Sequence, residues 1–211
     1  MGMRRYDNRL RTLLALAVAV AVAGCYHGTA RAVLPSDLTR DRGWVVVDGV
    51  HLIRQTSQRD CGAAALAMML QRWSVPSSAD EILHNVPRES GHGISLGVLR
   101  DFARQKGLRA FVIKGELADL ANEVALNRPV LVGLVQRYGD RALSHYEVVA
   151  GINQTTRRVL LLDPAHGLRE DGFGGFAAEW DAAGRPTLVI VPSCAIARRH
   201  GEMVASALPL R

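Results

Sequence analysis

Residues 144–163 read SHYEVVAGINQTTRRVLLLD: two β-branched and leucine runs, 146–152 and 159–162, around a polar break at 153–156. This pattern predicts two antiparallel strands joined by a hairpin. With the turn centred near residue 154, His145 at the start of the first strand lies opposite Asp163 at the end of the second. Both are odd-numbered, so in that register their side chains leave the same face of the sheet. Directly opposed residues have Cβ atoms about 4.5–5.5 Å apart, close enough for a carboxylate to accept a hydrogen bond from an imidazole. A one-residue slip would separate them. Taken singly, His145 also reads as a half-buried strand histidine, and Asp163 as a turn residue before Pro164.

Working outward, 130–135 and 188–191 are further β-branched or leucine runs, and 44–47 is a short strand ended by Asp48-Gly49. The front of the chain is helical instead. Residues 61–73 are rich in Ala, Leu and Met, with the first charge only at Arg72, which predicts a mostly buried helix. Ser78-Ala79-Asp80-Glu81 is a capping-box signature opening a second helix to about Val86. Leu96, Leu99, Phe102 and Ala103 fall at helical spacing within 95–106, and Gly107 ends the run. Residues 109–114 read as a strand and 116–126 as an amphipathic helix. Gly172-Phe173-Gly174-Gly175-Phe176 reads as a turn, or alternatively as a border of a substrate cleft. Helices in front and strands behind make an α+β domain, with N-terminal helices packed on a C-terminal antiparallel sheet.

A chain of 211 residues, 48% apolar and 22% charged, is one ordinary globular domain, and disorder is excluded. The net charge of +6 suggests an anionic partner until it is divided. Residues 1–24 contain Arg4, Arg5, Arg9 and Arg11 against Asp7 alone, so half of the excess lies there. The remaining basic residues are scattered and include only two lysines, Lys106 and Lys114. A nucleic-acid interface needs a dense basic stripe, so none is expected.

That basic segment runs into an unbroken apolar stretch, 13–23, and then Gly24-Cys25. The stretch is too short to span a bilayer, which takes about 20 residues, and fits a signal-peptide core. Small residues immediately before a cysteine resemble the lipobox of bacterial lipoproteins, in which the thiol is acylated and the chain is cut just before it. Residues 1–24 are therefore expected to be a signal peptide, Cys25 a lipid anchor and 25–43 a polar tether. Tyr26, where an Asp would signal retention, resembles the pattern for outer-membrane sorting. The domain is expected over 44–192, and 193–211 is a tail without a readable role.

Cys61 and Cys194 remain. Outside the cytoplasm the two could form a disulfide, which would silence any chemistry at Cys61. Asp60-Cys61-Gly62 falls where the buried helix begins, with Asp60 suited to the N-cap and Cys61 in the first turn. The positive end of a helix dipole favours the nucleophilic thiolate. The alternative is a small hydrophobe, as buried cysteines often are. A thiol in that position, with a His–Asp pair elsewhere, is the set that nucleophilic acyl transfer requires. His51, His84, His92, His166 and His200 have no ligand spacing, and neither CxxC nor HExxH is present, so no metal or other cofactor is expected.

Together these residues resemble the bacteriocin-processing, double-glycine cysteine peptidases, a papain-like family found as domains of peptide-exporting ABC transporters. The resemblance begins at Arg54-Gln55 with Asp60-Cys61-Gly62-Ala63-Ala64-Ala65-Leu66-Ala67-Met68. It continues at Gly93-Ile94-Ser95-Leu96 and Gly107-Leu108, and ends at Ser144-His145-Tyr146-Glu147-Val148-Val149 and Leu162-Asp163-Pro164. It implies a papain-like fold, Cys61 as nucleophile, His145 as proton shuttle, Asp163 as its orienting partner and Gln55 as the oxyanion-hole side chain. It also implies a peptide or protein substrate cut at a Gly-Gly-type site, and association with an export system. Two other readings use the same residues: a silent peptide-binding module, and a papain-like acyltransferase or amidase.

Overall fold

A computed structural model describes residues 26–75, 77–87 and 93–193. Cys25 and Cys194 lie outside them, as do the expected signal segment and most of the expected tail. Five α-helices and eight strands are described. The helices are α1 (Cys61–Gln71), α2 (Ala79–Asn85), α3 (Leu96–Gln105), α4 (Leu117–Ala125) and α5 (Phe173–Ala182). The strands are β1 (Arg31–Ala32), β2 (Trp44–Val46), β3 (Arg109–Lys114), β4 (Val130–Tyr138), β5 (Arg141–Asn153), β6 (Arg158–Asp163), β7 (Gly167–Gly172) and β8 (Pro186–Val191). They form one antiparallel sheet in the order β1-β7-β6-β5-β4-β8-β3, with β2 added to the far half of β5. No helix of the described residues is long and apolar enough to cross a membrane.

The chain is α+β as expected, but helices cover both faces of the sheet. On one face, α1, α2 and α3 pack Leu66, Met69, Ile82, Leu99 and Phe102 against Leu131, Val148, Leu188 and Ile190. On the other, α4 and α5 pack Leu120, Val124, Phe176 and Trp180 against Val130, Val132, Val149 and Leu161. Double coverage explains why Val130–Leu134 is buried without alternation: odd and even residues each face a helical layer. It also explains α1. A helix between the sheet and two other helices has no solvent face, and residues 63–70 are all fully buried.

Helix α5 is where the sequence misled. The glycines of 172–176 suggested a turn, whereas Gly172 is the N-cap and Gly174 and Gly175 lie in the first turn of a helix. Phe173, Phe176 and Trp180, three to four residues apart, fix that helix by burial in the second core. The segment expected to be a tether also has defined partners. Arg31 and Ala32 pair with Glu170 and Arg169 of β7, His27 N–H donates to the Arg137 carbonyl, and two 3₁₀ turns follow before β2.

Candidate active site

At the site end the register of the central hairpin differs from the expected one by two residues, and at the turn by three, the bulge making up the difference. Val148 pairs with Leu162 and, beyond a bulge at Ala150, Asn153 pairs with Arg158, so the turn comprises 154–157 and is centred later than predicted. A shift by an even number preserves the face. His145 therefore still emerges on the side of Asp163, as a diagonal rather than a direct neighbour. Glu147 takes the place closer to Asp163.

His145 Nε2 lies 2.8 Å from Asp163 Oδ1, with both side chains buried. Its other ring nitrogen is left for the thiol of Cys61, which is close enough to help raise the imidazole's pKa. Cys61 is a free, buried thiol at the first position of α1. Asp60 precedes it at the N-cap but does not cap through its side chain: its backbone is not extended there, and its carboxylate accepts from Thr56 Oγ1 at 2.8 Å. Gly62 allows the approach of α1 to β5, since a Cβ at that position would meet the Tyr146 ring at 3.1 Å. Gln55 enters the site from the preceding loop, where its N–H donates to the Pro164 carbonyl just beyond Asp163. Its side-chain oxygen is buried without a hydrogen-bond partner among the described residues, so the acceptor end of the carboxamide is not used by the fold. All three side chains, Gln55, Cys61 and His145, line a cleft of about 820 Å³ walled further by Ile94, Tyr138, Leu143 and His166.

The electrostatics favour a charged imidazole. Burial opposes the cation, but the hydrogen bonds to Asp163 and Cys61 and the neighbouring carboxylates Glu147 and Asp163 outweigh it, pushing His145 up to about 10. Asp163 moves the other way. Burial raises its pKa, yet bonds from His145, the Ala165 N–H and His166, together with the charge of His145, hold it well below the usual carboxylate range. Its two oxygens are saturated: Oδ1 accepts from His145 Nε2 and Ala165 N, and Oδ2 from His166 Nδ1 at 2.8 Å and Arg169 Nη1 at 3.2 Å.

Four residues around this pair were not picked out from the sequence. His166 and Arg169 brace Asp163 from β7 and the turn before it, and Gln136 Nε2 donates to Glu147 Oε1 at 2.7 Å. Glu147 is fully buried, and its carboxyl is pushed up to about 8 by burial and by the adjacent Asp163 charge. Glu147 had a readable signal: an acid at the same parity as His145 within an apolar run. Arg169 had none, because β7 was not recognised as a strand. His145, Glu147 and Asp163 also bring three potential metal-ligand atoms within 4.8 Å of one another, although the first and third are bonded to each other.

A thiol at a helix N-terminus, bonded to an imidazole that a buried carboxylate orients beside an open cleft, defines a papain-like cysteine peptidase. The chain belongs to the Peptidase C39 family, which it matches over residues 49–190. An uncharacterized protein of Methanothermobacter marburgensis is 32% identical over 126 residues, covering 58% of this chain and 79% of that protein. Three solved structures share the fold. A C39-like peptidase from Bacillus anthracis is 18% identical with a TM-score of 0.59, covering 70% of this chain and 98% of that one. The peptidase domain of Streptococcus ComA, a bifunctional ABC transporter of a quorum-sensing pathway, is 24% identical with a TM-score of 0.55 (67% and 98% covered). A double glycine motif protease from an AMS/PCAT transporter, in complex with its leader peptide, is 20% identical with a TM-score of 0.57 (70% and 95% covered).

Proposed function

We propose that this peptidase processes an exported peptide or protein at a Gly-Gly-type site, from a lipid-anchored position in the cell envelope. The observation that carries the peptidase half is the buried chain Cys61–His145–Asp163 opening on a cleft that also receives Gln55. Cys61 Sγ attacks the scissile carbonyl carbon. Gln55 and the Cys61 backbone N–H meet the oxyanion, commonly the largest single contribution to such a reaction. His145 gives its proton to the leaving amine as the C–N bond breaks. Water, deprotonated by the same imidazole, then hydrolyses the thioester and restores the thiol. Asp163 keeps the imidazole in the orientation and charge state that both steps use.

A Gly-Gly site suits a nucleophile enclosed to this degree, because two residues without side chains let the peptide backbone reach a buried sulfur. Support for this specificity comes from membership of the C39 family and from the fold shared with a double glycine motif protease. Mature protein incubated with peptides ending a leader in Gly-Gly, and with matched Val-Val peptides, should cleave only the former, as read by mass spectrometry. Binding of Gly-Gly peptides without cleavage would favour a silent binding module. Cleavage of neither, with turnover of a simple amide or acyl donor, would favour the transferase or amidase reading.

The anchor rests on the lipobox-like run ending at Cys25. Cells expressing the protein should incorporate labelled palmitate into it, and Cys25→Ser should abolish incorporation. Equal labelling of the two would remove the anchor from the proposal.

A further inference from the structure

The back of the Asp163 site is closed by the first described residues of the chain. Asp163 Oδ2 is held by Arg169, a buried guanidinium that also donates to the Ala30 carbonyl at 2.6 Å, lies 4.6 Å from the centroid of the Tyr26 ring and feels the Glu147 charge. The Ala30 and Tyr26 contacts come from residues 26–30. The Tyr26 hydroxyl in turn donates to Glu179 of α5 at 2.6 Å, and its ring lies 5.5 Å from that of Tyr138, a wall of the cleft. The segment is fitted to this seat. Thr29 Oγ1 donates to Asp171 at 2.5 Å, and Arg31 pairs with Glu170 at 2.7 Å. A Cβ on Gly175 would overlap Thr29 Oγ1, and one on Gly28 would overlap the Tyr26 hydroxyl and the Glu179 carboxylate. Glycine at these two places is what lets the segment lie flat against α5.

We infer that residues 26–33 are a strap belonging to the catalytic unit, with Tyr26 and Arg169 as positioning residues that clamp Asp163 from behind. Without the Ala30 carbonyl and the Tyr26 ring the guanidinium would keep only its acidic neighbours and be left with unsatisfied N–H donors, so it would admit water or turn toward solvent, since an unsatisfied buried donor is costly. Asp163 Oδ2 would then lose a donor, and the carboxylate its fixed aim at His145. The strap thus connects the start of the described chain, just after Cys25, to the reactivity of a thiol more than thirty residues later. This inference rests on Cys61, His145 and Asp163 forming the reactive centre.

Its test reads the thiol without any substrate, through the rate of Cys61 alkylation by iodoacetamide between pH 5 and 9 in the full mature chain. The variant of choice is Gly175→Ala, because alanine suits a helix while its Cβ expels Thr29. Gly175→Ala and Tyr26→Ala should slow alkylation at pH 6.5 by about three- to tenfold, the worth of one net hydrogen bond. They should also move the acid edge of the profile upward, because a loosened Asp163 no longer stabilises the imidazolium that pairs with the thiolate. Leu34→Ala, on an exposed side chain of the following turn, should match the wild type. In the unaltered protein, hydrogen exchange should show protected amides at His27 and Val33, which donate to Arg137 and Leu168. Wild-type alkylation in both strap variants, or free-chain exchange at 27 and 33, overturns the strap. Alkylation that does not depend on His145 in the wild-type background overturns the reactive centre instead, so the two failures are distinguishable.

Discussion

Cys61→Ala is expected to abolish cleavage of any Gly-Gly-type substrate, lowering kcat by a factor on the order of 10⁴ or more while leaving the fold intact. The size follows from the role. Covalent catalysis replaces one difficult step by two easier ones, and without sulfur there is no nucleophile and no thioester can form. The fold survives because the substitution removes one buried sulfur from the edge of a helix whose residues 63–70 are fully buried. A change of that size at a site open to a cleft costs little compared with a large-to-small change in a closed core. Circular dichroism and thermal melting should overlay those of the wild type, and mass spectrometry should find no product. Residual cleavage within tenfold of wild type would remove Cys61 from the mechanism.

The second large effect is at Asp163. Its side chain has no solvent exposure and four donors converge on it, so Asp163→Ala leaves the His145 imidazole and the Arg169 guanidinium buried without their shared carboxylate, with Glu147 the nearest remaining acid. Removing one partner of a buried ionic set costs about 3–5 kcal/mol of stability. Loss of the imidazole's orientation and charge state should lower kcat by roughly 10²–10⁴. Asp163→Asn separates the two consequences. Its carboxamide oxygen can still accept from His145, as in Cys-His-Asn sites, so much of the activity should return relative to alanine. Its NH₂ must then face Arg169 and His166, so stability should not return fully.

The pH dependence carries the sign of each group. Asp163 titrates lower in the folded chain than the usual value near 3.9, so its stabilisation is present above about pH 4 and is lost as pH falls through the folded value. His145 is raised, so its stabilisation is complete below about pH 6.5 and is lost as pH rises toward about 10. Urea titrations should show the wild type losing stability on the acid side of pH 4 more steeply than either Asp163 variant. Parallel acid limbs would mean that Asp163 is not preferentially ionised in the folded state.

The sequence by itself determined the class and most of the elements. Local signals suffice for these: the apolar run of α1, the Ser78 and Ser95 caps that accept from Glu81 and Val98, and the β-branched runs of β4, β5, β6 and β8. It also placed His145 and Asp163 on one face, because parity survives an even register error and the error at the site was two, the bulge at Ala150 having absorbed the odd residue. The tertiary structure alone decided what surrounds that pair. β7 reads as a string of charges, Leu168-Arg169-Glu170-Asp171, and becomes a strand only because β6 and β1 supply hydrogen-bond partners and α5 covers it. Only that pairing brings Arg169 to Asp163 and residues 26–32 to Arg169. Periodicity reports the face on which a side chain lies. Which distant segment will cover that face is set by packing between residues some 140 positions apart, and no local pattern carries it.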